Sequence, residues 1–330
     1  MKKIGSLILM MIALSSFSLF AKQAVYNTGD DYDIELRYED NPCPGDPLFV
    51  KMIINQAGKK NKVSKQEFIE TKARLQLYAA GKVARTADFY LLQKANQSQL
   101  VMLAGVPLSS WWTKDTPCSL KVIYSLYGKK NMEFELPLTL KNKDFVSETI
   151  ELNPTNTSIK TDTSTKRMEQ INKLNGILGT INPAAVYQTE RFMAPTSATR
   201  RTSFFADRRV YKYTNGKSST SLHYGIDYGV PTGTQVNACA AGKVVLAETR
   251  VTTGWSVVIE HLPGLYSLYY HMSELKVKEG DMVKPGDLIG LSGATGLATG
   301  PHLHWEMRLN SEAVSPDAFV DSDFAFAGNK

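Results

Sequence analysis

The sequence predicts a mainly β chain in two parts, joined by a linker that carries a helix. Short apolar or alternating runs, bounded by Gly, Pro, Asn and Asp, recur through residues 22–147 and again from 191 onward. Between them, residues 148–165 turn rich in Thr, Ser and Asn, and a helical periodicity follows. All five histidines of the 330 residues lie in the last third, so the chemistry-bearing side chains are concentrated in the second part.

The elements follow in order. Lys2 and Lys3 precede an uncharged, largely apolar run from Ile4 to Phe20, and Ala21 is a small residue at a plausible cut site. Residues 1–21 are therefore expected to be an export signal, with an uncleaved anchor as the alternative, which places the chain in the periplasm or cell envelope. Residues 22–147 are expected to form a small β-sandwich from runs such as Leu48 to Ile54, Leu100 to Leu103, Leu120 to Tyr127 and Phe134 to Leu140. In an oxidising compartment Cys43 and Cys118 are expected to pair, closing a loop of about 75 residues worth up to about 4 kcal/mol. Cys239, inside the apolar run Val236 to Ala240, reads as a buried inert thiol.

Residues 148–190 are read as a linker with one helix. Ser164 caps a helix from Thr165, and Met168, Ile171, Leu174, Ile177 and Leu178 recur at helical spacing, a stripe expected to pack between domains. Asn182-Pro183 ends it. In residues 191–330, the runs Lys243 to Ala247, Ser256 to Glu260 and Leu265 to His271 are rich in β-formers, and the part reads as an all-β sandwich or open barrel.

Composition removes several function classes. With 43% apolar residues the chain is globular, and its net charge of +6 either serves solubility or gives a weak attraction to an anionic cell wall or membrane surface. No arginine-rich stripe with interleaved aromatics supports nucleic-acid binding. After the first 21 residues no segment reaches transmembrane length, and no 20–50-residue period marks a solenoid.

Four of the histidines form a spaced pattern with an aspartate. His223 and Asp227 make an H-x-x-x-D, His271 follows in Tyr269-Tyr270-His271-Met272, and His302 and His304 make an H-x-H. Four positions on a straight strand span about 13 Å, too far for one ion, so the chain must curve between His223 and Asp227, with Gly225 placed to permit it. Two positions place His302 and His304 on one strand face, so one can ligate while the other stands beside the metal. Taking His304 as the ligand gives three protein ligands and an open fourth position, the arrangement of a catalytic zinc. His271 and His302 then become a proton-handling pair. His261 reads as a strand-ending residue with no role.

On these residues the segment from Arg201 to Phe319 resembles the lysostaphin-type, or LytM-type, zinc endopeptidases that cut peptide bonds in peptidoglycan. The likeness is carried by His223-Tyr224-Gly225-Ile226-Asp227, by Gly264 to Met272, and by Gly293-Ala294-Thr295-Gly296 with Gly300-Pro301-His302-Leu303-His304. The resemblance implies one Zn²⁺ held by His223, Asp227 and His304, catalytic histidines at His271 and His302, and an antiparallel β fold with the metal on a groove floor. It also implies peptidoglycan as the partner. Pro42 to Asp46 and Met102 to Leu108 resemble the β-domain that precedes this unit in exported members, a domain that could bind wall material, dock a partner or cover the groove. Some members carry an oxyanion-steadying tyrosine six positions before the first ligand; here that position is Lys217, with Tyr211 and Tyr213 nearby. Lys217 and Arg209 either meet substrate carboxylates or are solvated loop charges.

Two other readings stand beside the peptidase. Members that lost their ligands regulate other wall hydrolases by binding them, and the complete set of five residues argues against that role here. Val277 to Asp287 resembles the hairpins of biotinyl and lipoyl carriers, but lacks a lysine between methionines.

Overall fold

The structure is a computed structural model that describes residues 22–27, 32–56, 71–92, 99–126, 128 and 131–320. The expected export segment lies outside them. Among the described residues the chain forms two compact units. The first takes the chain up to Pro42, then Leu48–Gly105 and Thr116–Leu140; the second takes Cys43–Pro47, Val106–Asp115 and everything from Lys141 onward.

Nine strands lie mainly in the first unit: β1 (Lys22–Asn27), β2 (Tyr32–Tyr38), β3 (Pro47–Gln56), β4 (Lys72–Ala79), β5 (Lys82–Asp88), β6 (Tyr90–Leu91), β7 (Gln99–Pro107), β8 (Cys118–Ser125) and β9 (Met132–Leu138). They form two antiparallel sheets, ordered β1-β2-β3-β7-β6 and β5-β4-β8-β9. β2 and β9 alternate buried and less buried positions, the signature of a sheet with one face in a core. Ile34, Leu36, Leu75, Leu77, Leu120 and Val122 are buried there.

The second unit begins with β10 (Ser147–Glu151), α1 (Pro154–Thr161) and α2 (Thr165–Leu178). Residues 148–165, expected to be linker, thus carry a strand and a helix. Asn153 caps α1 by accepting from Asn156 N–H, and Ser164 caps α2 by accepting from Arg167 N–H. Composition was misleading because capping and edge pairing also favour Ser, Thr and Asn. Then come β11 (Arg201–Ser203), β12 (Arg208–Lys212), β13 (Ser218–Leu222), β14 (Gly225–Tyr228), β15 (Gln235–Asn237), β16 (Gly242–Arg250), β17 (Gly254–Leu262), β18 (Leu265–Met272), β19 (Glu274–Leu275), β20 (Met282–Val283), β21 (Leu288–Leu291), β22 (Leu303–Leu309), β23 (Glu312–Val314) and α3 (Asp317–Val320).

The large sheet runs β11-β14-β22-β18-β17-β16-β20, with β23 on β22, and its neighbours are antiparallel. A small sheet, β10-β12-β13, joins β10 to β12 in parallel. β15-β21-β19 is a third. The loops from the earlier chain belong here for visible reasons. Ser315 N–H donates to Gly45 O at 2.8 Å, Arg208 Nη2 donates to Ser110 O at 2.7 Å, and the Arg208 guanidinium lies 4.0 Å from the Trp111 ring centre.

Every residue of β18 is buried, because both faces of the large sheet are covered there. On one face α2 lays Leu174, Ile177 and Leu178 against Leu246, Val258, Tyr266 and Leu268. The helix is pinned at its polar edge as well, with the Gln170 side chain accepting from Val251 N–H at 2.9 Å and Lys173 2.6 Å from Glu248. α2 is thus part of the second unit's own core, not the interdomain spacer that was expected. On the other face Cys239, His261, Ser267 and Tyr269 form a buried polar network. His261, expected to have no role, donates its Nδ1–H to Ala241 O and sets Nε2 against Ser267 Oγ, each at 2.7 Å. Burial pushes the Cys239 thiol up to about 11, so it is inert. The expected bridge between Cys43 and Cys118 is not formed, and the two residues belong to different units.

Candidate metal centre

Strand register builds the floor of the site. β14 pairs with β22 so that Asp227 lies opposite His304, and β22 pairs with β18 so that His304 lies opposite Tyr270. Directly opposite residues share a face, so Asp227, His304 and Tyr270 line one side of the sheet. Their neighbours Ile226, Trp305 and Tyr269 fill the other side and are buried. A one-residue slip would exchange these sets. Tyr270 stacks flat on His304, ring centres 5.4 Å apart and planes 5° apart.

Gly225 is required by close approach, not by curvature. A Cβ there would overlap the Trp305 carbonyl and come within 2.9 Å of His304 Nε2. His223, just ahead of β14, is clamped by the turn 204–207. Its N–H donates to Asp207 O at 2.9 Å, its carbonyl accepts from Ala206 N–H at 2.7 Å, and its Nδ1 faces Phe204 O at 2.8 Å.

Three side-chain atoms converge: His223 Nε2 to Asp227 Oδ1 is 3.1 Å, His223 Nε2 to His304 Nδ1 is 3.0 Å, and His304 Nδ1 to Asp227 Oδ1 is 2.8 Å. All three residues are buried. Tetrahedral ligands at about 2.0–2.1 Å from zinc would lie about 3.3 Å apart, so the triangle is close to metal size.

The proton positions decide what the triangle can hold. His223 donates its Nδ1–H to Phe204 O, which leaves a lone pair on Nε2. His304 has Glu306 Oε2 3.5 Å from its Nε2, which favours a proton there and coordination through Nδ1. Three acceptor atoms this close repel unless positive charge sits among them, and either a proton or a divalent cation supplies it. Burial lowers His304, but hydrogen bonds from it to Asp227 and Glu306 outweigh this and raise it to about 9. His223 moves the other way, because burial dominates and it has Asp227 alone as its acid. Burial would raise the Asp227 carboxyl; hydrogen bonds from both histidines hold it well below the ordinary range. The donor set, two imidazole nitrogens and one carboxylate oxygen around a shared positive charge, fits a divalent metal.

His271 and His302 stand beside the triangle with ring centres 4.7 Å apart. Each offers Nδ1–H to a backbone carbonyl, Thr295 O and Gly300 O respectively, both at 2.8 Å, so each neutral ring keeps a lone pair on Nε2. His302 Nε2 lies 3.8 Å from Asp227 Oδ1. Burial, with His302 and His304 adding to it, lowers His271 to about 3. His271 also has φ = 61°, a left-handed conformation that costs a non-glycine residue about 1–2 kcal/mol and recurs at working sites. The five residues open on a cleft of about 530 Å³, whose walls include Glu148, Ile150, Lys160, Arg200 and Tyr211.

Other candidates fall elsewhere. Lys217 is exposed in the β12–β13 turn, and Tyr213 bonds Ser219. Tyr211 lines the cleft with the Lys160 ammonium 4.2 Å above its ring. Arg209 is neither a solvated charge nor free for substrate: Nη2 donates to Asp227 Oδ2 at 3.0 Å and Nε donates to Glu148 Oε1 at 2.6 Å. Sequence reasoning missed Glu148 and Glu306. Glu306 continues the alternation of His302 and His304 on one strand, and that period-2 pattern was available to find it. Nothing local marks Glu148.

The family model described as peptidase family M23 matches residues 221–316. The DD-carboxypeptidase/endopeptidase Mpg of Neisseria meningitidis is 44% identical over 95 residues, 29% of this chain and 22% of that protein. The peptidoglycan DD-endopeptidase ShyA of Vibrio cholerae is 38% identical over 116 residues, 35% of this chain and 26% of that protein. The chain thus spans about a quarter or less of the length of these relatives. A crystal structure assigned to peptidase M23 from Pseudomonas aeruginosa is alike in fold over 86% of this chain and 96% of that one, with a TM-score of 0.53 at 22% identity. Residues 221–316, which include all five clustered residues, are a domain of peptidase family M23, the family of LytM and lysostaphin.

Proposed function

We propose that this protein is an exported zinc endopeptidase that hydrolyses peptide cross-links or stem-peptide amides of bacterial peptidoglycan. The observation that carries this reading is the approach of His223 Nε2, Asp227 Oδ1 and His304 Nδ1 to within 3.1 Å of one another beside a second pair of histidines. Nitrogen-rich donors suit zinc, whereas calcium and magnesium take oxygen ligands. Relatives named for peptidoglycan endopeptidase activity support a wall peptide as substrate. Export is supported by the basic, then apolar, first 21 residues, and the strands of the first unit, which ends at Leu140, are proposed as a β-module separate from the peptidase.

His223, Asp227 and His304 would hold the zinc ion, which would supply an electrophilic centre for acidifying water and polarising the scissile carbonyl. His271 has its Nδ1–H held by Thr295 O, so its Nε2 lone pair would accept the proton of the attacking water. His302 lines the cleft, where its protonated form would hydrogen-bond the developing oxyanion through Nε2–H and give that proton to the leaving amine; the water's proton held on His271 would then leave to solvent, and a solvent proton would restore His302. Thr295 O and Gly300 O fix both rings through Nδ1, so each exchanges protons only through Nε2.

The test is metal analysis together with mass spectrometry of muropeptides released from purified peptidoglycan. One zinc per chain is expected, with cleavage abolished by chelation and restored by one equivalent of zinc. His304→Ala should lose both metal and cleavage. A purified wild-type protein with no metal and no wall-digesting activity would replace this reading with the regulator.

A further inference from the structure

We infer that Arg209 is a positioning residue for the metal ligand Asp227, and that Glu148 on β10 holds Arg209 in place. The working site would then extend 73 residues ahead of the family-matched segment, from residue 221 back to residue 148. The inference rests on the zinc-peptidase reading.

The two oxygens of Asp227 have different partners. Oδ1 faces His223 and His304, and Oδ2 accepts from Arg209 Nη2 at 3.0 Å. The Arg209 side chain is 11% exposed and that of Asp227 is 9% exposed, so water does not compete strongly for the pair. A buried guanidinium with one acid would be poorly compensated. Glu148 supplies the second, at 2.6 Å from Nε, and it lies directly opposite Arg209 in the parallel β10–β12 pair. Strand pairing therefore presets Glu148, Glu148 presets Arg209, and Arg209 presets the carboxylate.

The consequence is chemical. A carboxylate can give a metal one oxygen or two. With Oδ2 held by Arg209, Asp227 would offer one, which would leave a coordination position for water and reduce the charge the carboxylate donates. Arg209 would thus keep the ion electrophilic, an effect distinct from merely holding the ion.

Arg209→Met and Glu148→Gln test this on the full chain, with Arg209→Lys as the conservative variant. Zinc stoichiometry, the visible spectrum of the cobalt(II)-substituted protein, and kcat and KM on peptidoglycan fragments are read together. Arg209→Met should keep one metal per chain but lose visible cobalt absorption as the coordination number rises. Its kcat should fall by about 10-fold or more, the scale of outer-shell effects at metal sites, with KM within about twofold. Glu148→Gln should move both readouts the same way by less, and Arg209→Lys should restore part of each. An unchanged cobalt spectrum and kcat in Arg209→Met would overturn the inference, as would loss of the metal from a folded variant. If Arg209→Met does not fold, Glu148→Gln decides, and wild-type behaviour there would overturn it. A wild type that binds no metal and cleaves nothing defeats the zinc-peptidase reading itself and takes this inference with it.

Discussion

His261 is a buried side chain whose charge state belongs to the core, not to the cleft. It is fully buried, and burial lowers it from 6.5 to about 4 despite the Ala241 carbonyl that favours its charged form. The folded state therefore binds this proton less readily than the unfolded chain does. Its contribution to stability is fully present above about pH 6.5 and is lost as the pH falls through 4, by roughly 3 kcal/mol in all. Urea unfolding of wild type and His261→Gln at pH 7.5 and pH 4 checks this. The variant should be less stable at pH 7.5 and should lose less on acidification, and equal losses would contradict the assignment. Gly225 gives a second prediction at this scale. Gly225→Ala forces a Cβ against the Trp305 carbonyl, a backbone atom that cannot swing aside. The substitution should cost at least about 2 kcal/mol in thermal unfolding and reduce bound metal, because β14 and β22 must separate where Asp227 and His304 meet.

At the scale of elements, one face of the large sheet is shared between helix and cleft. Along β18, Tyr266 and Leu268 meet α2, whereas Tyr270 meets His304. The apolar edge of α2 thus covers the part of the sheet that the cleft does not use. Leu178 is 3% exposed in that contact. Leu178→Ala should lower unfolding stability by about 3 kcal/mol, the usual scale for a buried leucine, while a folded sample keeps its full metal content. Denaturant titration and metal analysis on one preparation check both halves. The sequence made this helix legible through Ser164 and the spacing of five apolar residues, because capping and periodicity are local. It did not reveal what the stripe packs on, since Leu246, Val258 and Leu268 are distant in the chain.

At the scale of the molecule, the second unit is not one continuous stretch. It takes in Cys43–Pro47 and Val106–Asp115, and β10 and α1 contribute residues to the cleft walls. A fragment of residues 191–330 removes β10, α1 and α2, and with them Glu148 and the cover over Leu246 and Val258. That fragment should melt well below the full chain and bind substoichiometric metal, whereas residues 141–330 should retain one ion. Circular dichroism melts and metal content read the difference, and equal values for the two fragments would show the preceding segment to be dispensable.

Local sequence patterns specify the mainly β class, the capped helix from Thr165 and the residue types that meet at the cleft. Each rests on short-range facts: alternation, turn residues, a cap, and side chains with few chemical roles. Tertiary structure alone decided that Thr- and Ser-rich residues 148–165 form a strand and a helix, that Gly225 answers a neighbouring carbonyl, and that Arg209 turns to Asp227 and Glu148. Those contacts span 18 and 61 residues. A buried charge acquires its partner only when strands from separate parts of the chain pair, and no local pattern records which strands will do so.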